Sequence, residues 1–438
     1  MPKSLSQGCY GVALPPHNNP EIVILAKSCF KKQYLSVLEQ IWAWCHHDKL
    51  QYPFVRRLLN RLFLLFLPVI LVFGFPAGLL SLSGELTPMT ELTTRQAQAR
   101  QQSAPPVLVG LAYTDPAELL KLRGTLDAQP QVLALGTSRA LQFRAEMFTP
   151  AARFFNAGRA VSKIKHLRLF LNQMPLGREP KVLILGLDQY FFNVNWDNLA
   201  NDDYARVLAG ARQLSAFEIV ATHFRQVYED YASSKISLPM VTAAQPNAQR
   251  LGFTALSKNA GFRSDGSYRY PRDDNPQSPT WRDYQYKDTL DRIANGGFRF
   301  EPGPEVNVAA VAELKLFLAE CQRRNIRVIG YLPPYAHGIY KTMQDSGKFA
   351  YLAKIDPSIR PLFATLGYSL FDFSDLASVG ASDAETLDGF HGSEKAYARM
   401  ILHMAQRDPE LARYVDIAAL QTTIKQVNDD YIVFKDGF

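Results

Sequence analysis

Three residues of the 438-residue chain have the types and order that nucleophilic acyl chemistry requires. Ser138 stands in Gly136-Thr137-Ser138-Arg139, just after the apolar run Gln131–Gly136, and Asp388-Gly389-Phe390-His391 stands near the other end. A serine hydroxyl is a weak nucleophile until a base takes its proton. Histidine is the usual base, and a carboxylate orients the imidazole and stabilises its charged form. Asp388 and His391 are three positions apart, so one loop can present both to one serine. Each also has a plainer use: serine after a strand is a favoured helix N-cap, and Asp388 could cap the next helix beside a surface histidine. Metal and nucleotide motifs are absent, with no His-Glu-x-x-His, no Gly-x-x-x-x-Gly-Lys-Ser/Thr and no Gly-x-Gly-x-x-Gly after a strand. No metal or cofactor is expected.

Ser138 can meet His391 only if the intervening chain folds into a sheet that gathers strand ends at one edge. Short apolar runs predict strands at Gln131–Gly136, Arg153–Asn156, Lys181–Gly186, Ile326–Leu332 and Tyr368–Phe373. Helical spacing predicts helices at Ser138–Met147, Val161–Gln173, Val308–Arg324 and Ser393–Gln406. This alternation specifies an α/β fold with a mostly parallel sheet covered on both faces, which binds ligands at the carboxyl ends of its strands. Residues 194–305 interrupt the rhythm as an insertion, helical over Asp203–Ser234 and rich in Gly, Asp, Arg and Tyr over Gly261–Phe300. Residues 409–438 read as a C-terminal appendage.

Ser138 after an early strand, Gly158 in Asn156-Ala157-Gly158, and the terminal Asp388-x-x-His391 resemble the SGNH (GDSL-type) hydrolase superfamily over about residues 107–408, the insertion excepted. The resemblance implies a three-layer α/β sandwich. It assigns Ser138 as nucleophile, His391 as base and Asp388 as its orienting acid, with the Ser138 and Gly158 backbone amides in the oxyanion hole. Two blocks depart from the pattern. The family's Gly-Asp-Ser is Gly136-Thr137-Ser138, and the block that usually supplies an Asn donor reads Gly186-Leu187-Asp188-Gln189. An ionised Asp188 cannot donate a hydrogen bond, so its expected role is to order the site with Arg139, leaving Gln189 as the side-chain donor to the hole. The ordinary α/β-hydrolase fold shares the order Ser, Asp, His, and Gly136–Ala140 approximates its elbow; that fold normally carries Asp and His on separate loops.

Composition is that of a folded protein, 47% hydrophobic and 20% charged, which excludes disordered and fibrous classes. The net charge is +7, yet residues 1–61 hold eight Lys/Arg against three acids, so the excess sits at one end. Leu62–Ser83 follows with no charge over 22 residues, flanked by Arg61 and Glu85. At about 1.5 Å per residue this run spans a hydrocarbon core of roughly 30 Å. Basic residues before it and few after it place the N-terminus in the cytoplasm. The expected layout is a cytoplasmic segment 1–61, one transmembrane helix 62–83, a polar linker 84–106, an extracytoplasmic domain 107–408 and the appendage 409–438. A basic segment beside an apolar span fits a lipid bilayer, and no nucleic-acid partner is expected. Of four cysteines only Cys321 follows the span, so the outer domain has no internal disulfide.

This architecture is similar to the membrane-anchored branch of the superfamily that includes the teichoic acid D-alanylation and alginate O-acetylation proteins. That resemblance implies O-acylation of a cell-surface polysaccharide at a bacterial inner membrane, through an acyl-serine, beside a membrane-bound O-acyltransferase partner. The alternative is a non-catalytic accessory protein that binds the glycan or that partner. Phe262, Tyr268, Tyr270, Trp281, Tyr284 and Tyr286, with Arg263, Arg269, Arg272 and Arg282, form either a sugar-stacking surface or a satellite core. His337, after a strand end, either lines the pocket or lies on the surface.

Overall fold

The computed structural model describes residues 53–102, 104–243, 249–271 and 283–438. The basic segment up to residue 52, with Cys9, Cys29, Cys45 and His46-His47, lies outside the described residues, as do Arg272, Trp281 and Arg282. The chain divides into two units, residues 1–72 and 73–438.

In the first unit the described residues, from Pro53, are helical, and Leu62, Phe63, Leu64, Leu65, Phe66, Val69 and Ile70 are exposed. The helix runs on to Ser83 in the second unit, where Leu79 and Leu80 are buried with Ile219, Val220, Val227, Ile236, Val241 and Phe253. The expected single transmembrane helix at 62–83 is not shown. Among the described residues no single helix is long and apolar enough to cross a membrane; Phe54–Ile70 and Val72–Ser83 pass that test only as a pair, interrupted near residue 71.

The second unit is α/β. Five strands form one parallel sheet: β2 (Val132–Gly136), β3 (Phe154–Gly158), β4 (Val182–Gly186), β8 (Arg327–Leu332) and β9 (Ser369–Asp372), in the order β3-β2-β4-β8-β9. Side chains alternate between two apolar clusters. Leu133, Leu135, Leu183 and Leu185 join one with the helices Ile164–Leu171, Val308–Arg323 and Leu352–Thr365. Val132, Ala134, Val182, Ile184 and Ile329 join the other with the helices Glu394–Ala405 and Ile417–Gln426. A strand buried on both sides needs apolar residues at every position, which is why these runs read as unbroken hydrophobic stretches.

Four short strands form a second sheet in the order β5-β1-β6-β7: β1 (Val107–Val109), β5 (Gln249–Leu251), β6 (Gly261–Phe262) and β7 (Tyr268–Arg269). The insertion is thus woven into the unit through β1, which precedes it in the chain. Strands of two or three residues show no periodicity, so the sequence gives no sign of this sheet.

Residues 84–106, expected as a polar linker, are largely folded. Glu85 is buried and accepts the N–H groups of Ala112 and Phe253, each at 2.8 Å. The helix Met89–Arg100 buries Leu92, and Gln96 donates to the carbonyls of Phe262 and Arg263 at 3.2 Å. Glu85 thus meets buried backbone donors and Gln96 backbone acceptors at β6. The expected appendage 409–438 is also part of the core, with Leu411, Leu420, Ile424 and Val433 buried in the second cluster.

Candidate active site

Ser138 follows the carboxyl end of β2. The expected helix Ser138–Met147 is instead two 3-10 turns, Ser138–Ala140 and Ala145–Met147. Asn156 on β3 explains the break: its side-chain amide donates to the carbonyls of Ala140 and Phe143, both at 2.8 Å, groups that a continuous helix would spend on its own N–H groups. Tyr397 donates its hydroxyl to the carbonyl of Arg139, which ties the serine turn to the helix Glu394–Ala405. The turn thereby leaves the Ser138 hydroxyl partly exposed at the sheet edge.

The base arrives on a tight loop. Leu387 N–H donates to the His391 carbonyl at 2.8 Å, Thr386 and Gly392 form a single antiparallel bridge, and Ser393 caps the next helix by accepting Ala396 N–H. Asp388 Oδ1 accepts the N–H groups of Phe390 at 2.8 Å and His391 at 2.6 Å. Asp388 Oδ2 lies 2.9 Å from His391 Nδ1, and His391 Nε2 lies 2.9 Å from Ser138 Oγ. The three residues singled out by type and spacing therefore form one hydrogen-bonded chain, with Ser138 and His391 accessible and Asp388 buried. Burial pushes the Asp388 carboxyl up, but the His391 imidazole and the two backbone N–H groups outweigh it and hold the carboxyl below its ordinary value. An ionised Asp388 requires the proton on Nδ1, which leaves Nε2 free to accept from Ser138.

Behind the serine, Arg139 is wholly buried. It donates to Asp188 Oδ1 at 3.1 Å, to Gln189 Oε1 at 2.7 Å and to the Pro333 carbonyl at 2.9 Å. Its guanidinium carbon lies 4.3 Å from the Tyr335 ring centroid and 4.4 Å from that of Phe390. Asp188 also accepts the Thr137 hydroxyl at 2.8 Å. Asp188 and Arg139 thus pair beside Ser138 and hold Thr137, the residue before it. Arginine suits this place because it keeps its charge when buried and its planar fork satisfies several acceptors at once.

Two of the donors expected for an oxyanion hole are engaged within the protein. Gln189 commits its amide N–H groups to the Pro333 carbonyl at 2.7 Å and to Ser374 Oγ at 2.8 Å, so it is an anchor for Arg139 and the β8 loop rather than a donor to the reaction centre. The Gly158 N–H donates to Asn156 Oδ1 at 2.6 Å. A Cβ on residue 158 would stand 2.7 Å from that oxygen and 3.0 Å from Leu141 N, so only glycine allows this approach. Of the expected donors, the Ser138 N–H, first in its 3-10 turn, has no partner within that turn.

Sequence reasoning missed Asp283, a buried residue of the insertion. It accepts Thr289 N–H and Thr289 Oγ1 at 2.8 Å and Gly389 N–H at 3.0 Å, inside the Asp388–His391 loop. Nothing in the local sequence marks it. Asn156 had a signal, as the polar residue in an otherwise apolar strand.

The aromatic and basic set of the insertion divides. Phe262 and Arg269 are buried, and Arg263 reaches Asp436 at 2.8 Å, so these belong to the satellite core. The Tyr270 ring lies 6.4 Å from the His391 ring, and the Tyr286 hydroxyl lies 3.0 Å from Thr386 Oγ1, so these two border the Asp388–His391 loop. His337 is exposed at the start of the helix His337–Asp345 and pairs with Asp375 at 3.0 Å. Comparison with known family profiles and with curated proteins finds no match to this chain.

Proposed function

We propose that this protein is an SGNH-like serine acyltransferase or esterase that O-acylates a cell-surface polysaccharide through an acyl-serine intermediate, in a three-layer α/β domain. The observation that carries the reading is the chain Ser138 Oγ to His391 Nε2 to Asp388, each link 2.9 Å long. In the first half-reaction His391 takes the Ser138 proton as Oγ attacks the acyl carbonyl carbon. His391 then returns that proton to the leaving group as the carbonyl re-forms, giving the serine ester. In the second half-reaction a glycan hydroxyl, or water, loses its proton to His391 and attacks the ester. Collapse releases the acylated product and returns the proton to Ser138. The Ser138 N–H is the donor at hand for the developing oxyanion, and Gly158 N–H joins it on leaving Asn156 Oδ1.

The exposed apolar residues of Phe54–Ile70 support an anchored chain; a catalytic unit outside the cytoplasm of a bacterial cell follows from the basic residues before the apolar run, and a membrane-bound O-acyltransferase partner from the family resemblance alone. The engagement of Gly158 and Gln189 within the protein favours the second reading, a non-catalytic accessory protein that binds the glycan or that partner. A fluorophosphonate probe separates the two. Labelling of the full chain that disappears in Ser138→Ala supports the enzyme. An unlabelled wild-type chain, beside a labelled control esterase, refutes it.

A further inference from the structure

Along the helix Pro53–Ser83 the surroundings of the side chains change within a few residues. Phe63, Leu64, Leu65, Phe66, Val69 and Ile70 are exposed, whereas Pro76, Leu79 and Leu80 are buried. Apolar side chains left uncovered over such a stretch call for a non-aqueous cover, and a folded unit with a polar surface calls for water. The boundary between the two falls at Phe73 and Phe75, both half-buried.

The helix Ala216–Ala232 of the insertion packs on these two rings. Phe73 lies 4.7 Å from Phe224 between ring centroids, and Phe75 lies 5.6 Å from Tyr228 and 5.0 Å from Tyr231. Five aromatic side chains therefore gather at one level of the chain. A satellite core would take them out of solvent, yet none of the five is buried and Tyr231 is 37% exposed. Arg225 is exposed beside them, its guanidinium carbon 5.8 Å from the Phe224 ring centroid, and it pairs with no carboxylate among the described residues. The acyl-transfer chemistry uses none of these groups.

From this we infer that the helix Ala216–Ala232 rests at the polar–apolar boundary of a phospholipid bilayer. Phe224, Tyr228 and Tyr231 with Phe73 and Phe75 form an aromatic belt there, and Arg225 meets lipid phosphates. Tyrosine suits this level because its ring is apolar and its hydroxyl wet, and a guanidinium matches a phosphate in two parallel hydrogen bonds. The inference rests on the reading of the chain as anchored and adds to it: the insertion gives the catalytic unit a lipid-facing side of its own.

Depth-dependent fluorescence quenching tests it. The full chain is reconstituted in vesicles of phosphatidylcholine and phosphatidylglycerol whose acyl chains carry bromine either near the headgroups or near the bilayer centre. Tyr231→Trp is compared with Val308→Trp, placed at an 80% exposed apolar position that starts the helix Val308–Arg323, and each is read as the difference from wild type. Circular dichroism verifies folding, and flotation of the vesicles reads the anchor itself. Bromine near the headgroups is expected to lower Tyr231→Trp emission about twofold, central bromine to lower it less, and neither to affect Val308→Trp. Adding Arg225→Glu to Tyr231→Trp is expected to remove about half of that quenching, and unchanged quenching overturns the phosphate contact. Equal emission of Tyr231→Trp with and without bromine, in a chain that still floats, overturns the belt alone. Stronger quenching from the bilayer centre also overturns it, since the ring then lies in hydrocarbon. Unquenched emission that reddens when the chain is diluted in lipid makes the face a contact between two copies and overturns it as well. A wild type that does not float overturns the anchored reading.

Discussion

Asp283 holds the amide of Gly389, its Oδ2 accepting that N–H at 3.0 Å across a sequence separation of 106 residues. Its other contacts, both to Thr289, fix it at the start of the helix Lys287–Asn295. The insertion therefore braces the loop that carries the base, and the position of His391 depends on a residue that never approaches Ser138. Asp283→Ala is expected to lower kcat roughly tenfold to a hundredfold with little change in KM for a small ester such as p-nitrophenyl acetate. Asp283→Asn, which keeps one carbonyl acceptor, is expected to recover part of kcat. A purely structural role would lower the amount of folded enzyme and leave kcat per active site unchanged, which active-site titration measures.

Ser138→Ala and His391→Ala are each expected to reduce ester turnover by at least about a thousandfold, and the double variant by little more than either alone, because the two act as one unit. Turnover of p-nitrophenyl acetate, with thermal melts to verify folding, checks this.

Asp388→Asn removes the charge that fixes the His391 tautomer, and a loss of roughly ten-thousandfold in kcat is expected. The substitution also has a pH signature in stability. The folded carboxyl titrates below its ordinary value, so the folded state binds fewer protons than the unfolded state in the acid range. Its contribution is thus complete above the unfolded value of about 3.9 and is lost as the pH falls through the lower folded value. The melting-temperature gap between wild type and Asp388→Asn is expected to be widest near neutral pH and to shrink below about pH 4.

The buried pair of Arg139 and Asp188 makes a different prediction, since breaking it leaves a charge in the core. Asp188→Ala is expected to cost about 3–5 kcal/mol of stability, measured by urea unfolding, whereas replacing both partners with apolar residues is expected to cost less. Surface pairs such as Lys287–Asp291 serve as the control, with no change in the urea midpoint expected.

The five parallel strands were legible because burial on both faces demands unbroken apolar runs, and the structure places each within two residues of its expected bounds. Ser138, Asp388 and His391 were legible because their chemistry restricts the residue types. The oxyanion hole was not, because the partners of Gly158 and Gln189 are set by tertiary contacts with Asn156, Pro333 and Ser374. Similarly, the composition of residues 84–106 suggests a solvated tether, yet Glu85 and Gln96 find buried backbone partners at Ala112 and Phe262 that only the folded unit provides.

The last thirty residues belong to the core. Glu394, directly after the His391 turn, accepts the N–H groups of Val433 and Phe434 at 2.9 and 2.7 Å, while Arg144 joins Glu394 to Asp436. A growing polypeptide that has passed His391 but not yet Val433 lacks these braces. The turn that carries His391 is therefore braced only once the C-terminal segment has docked.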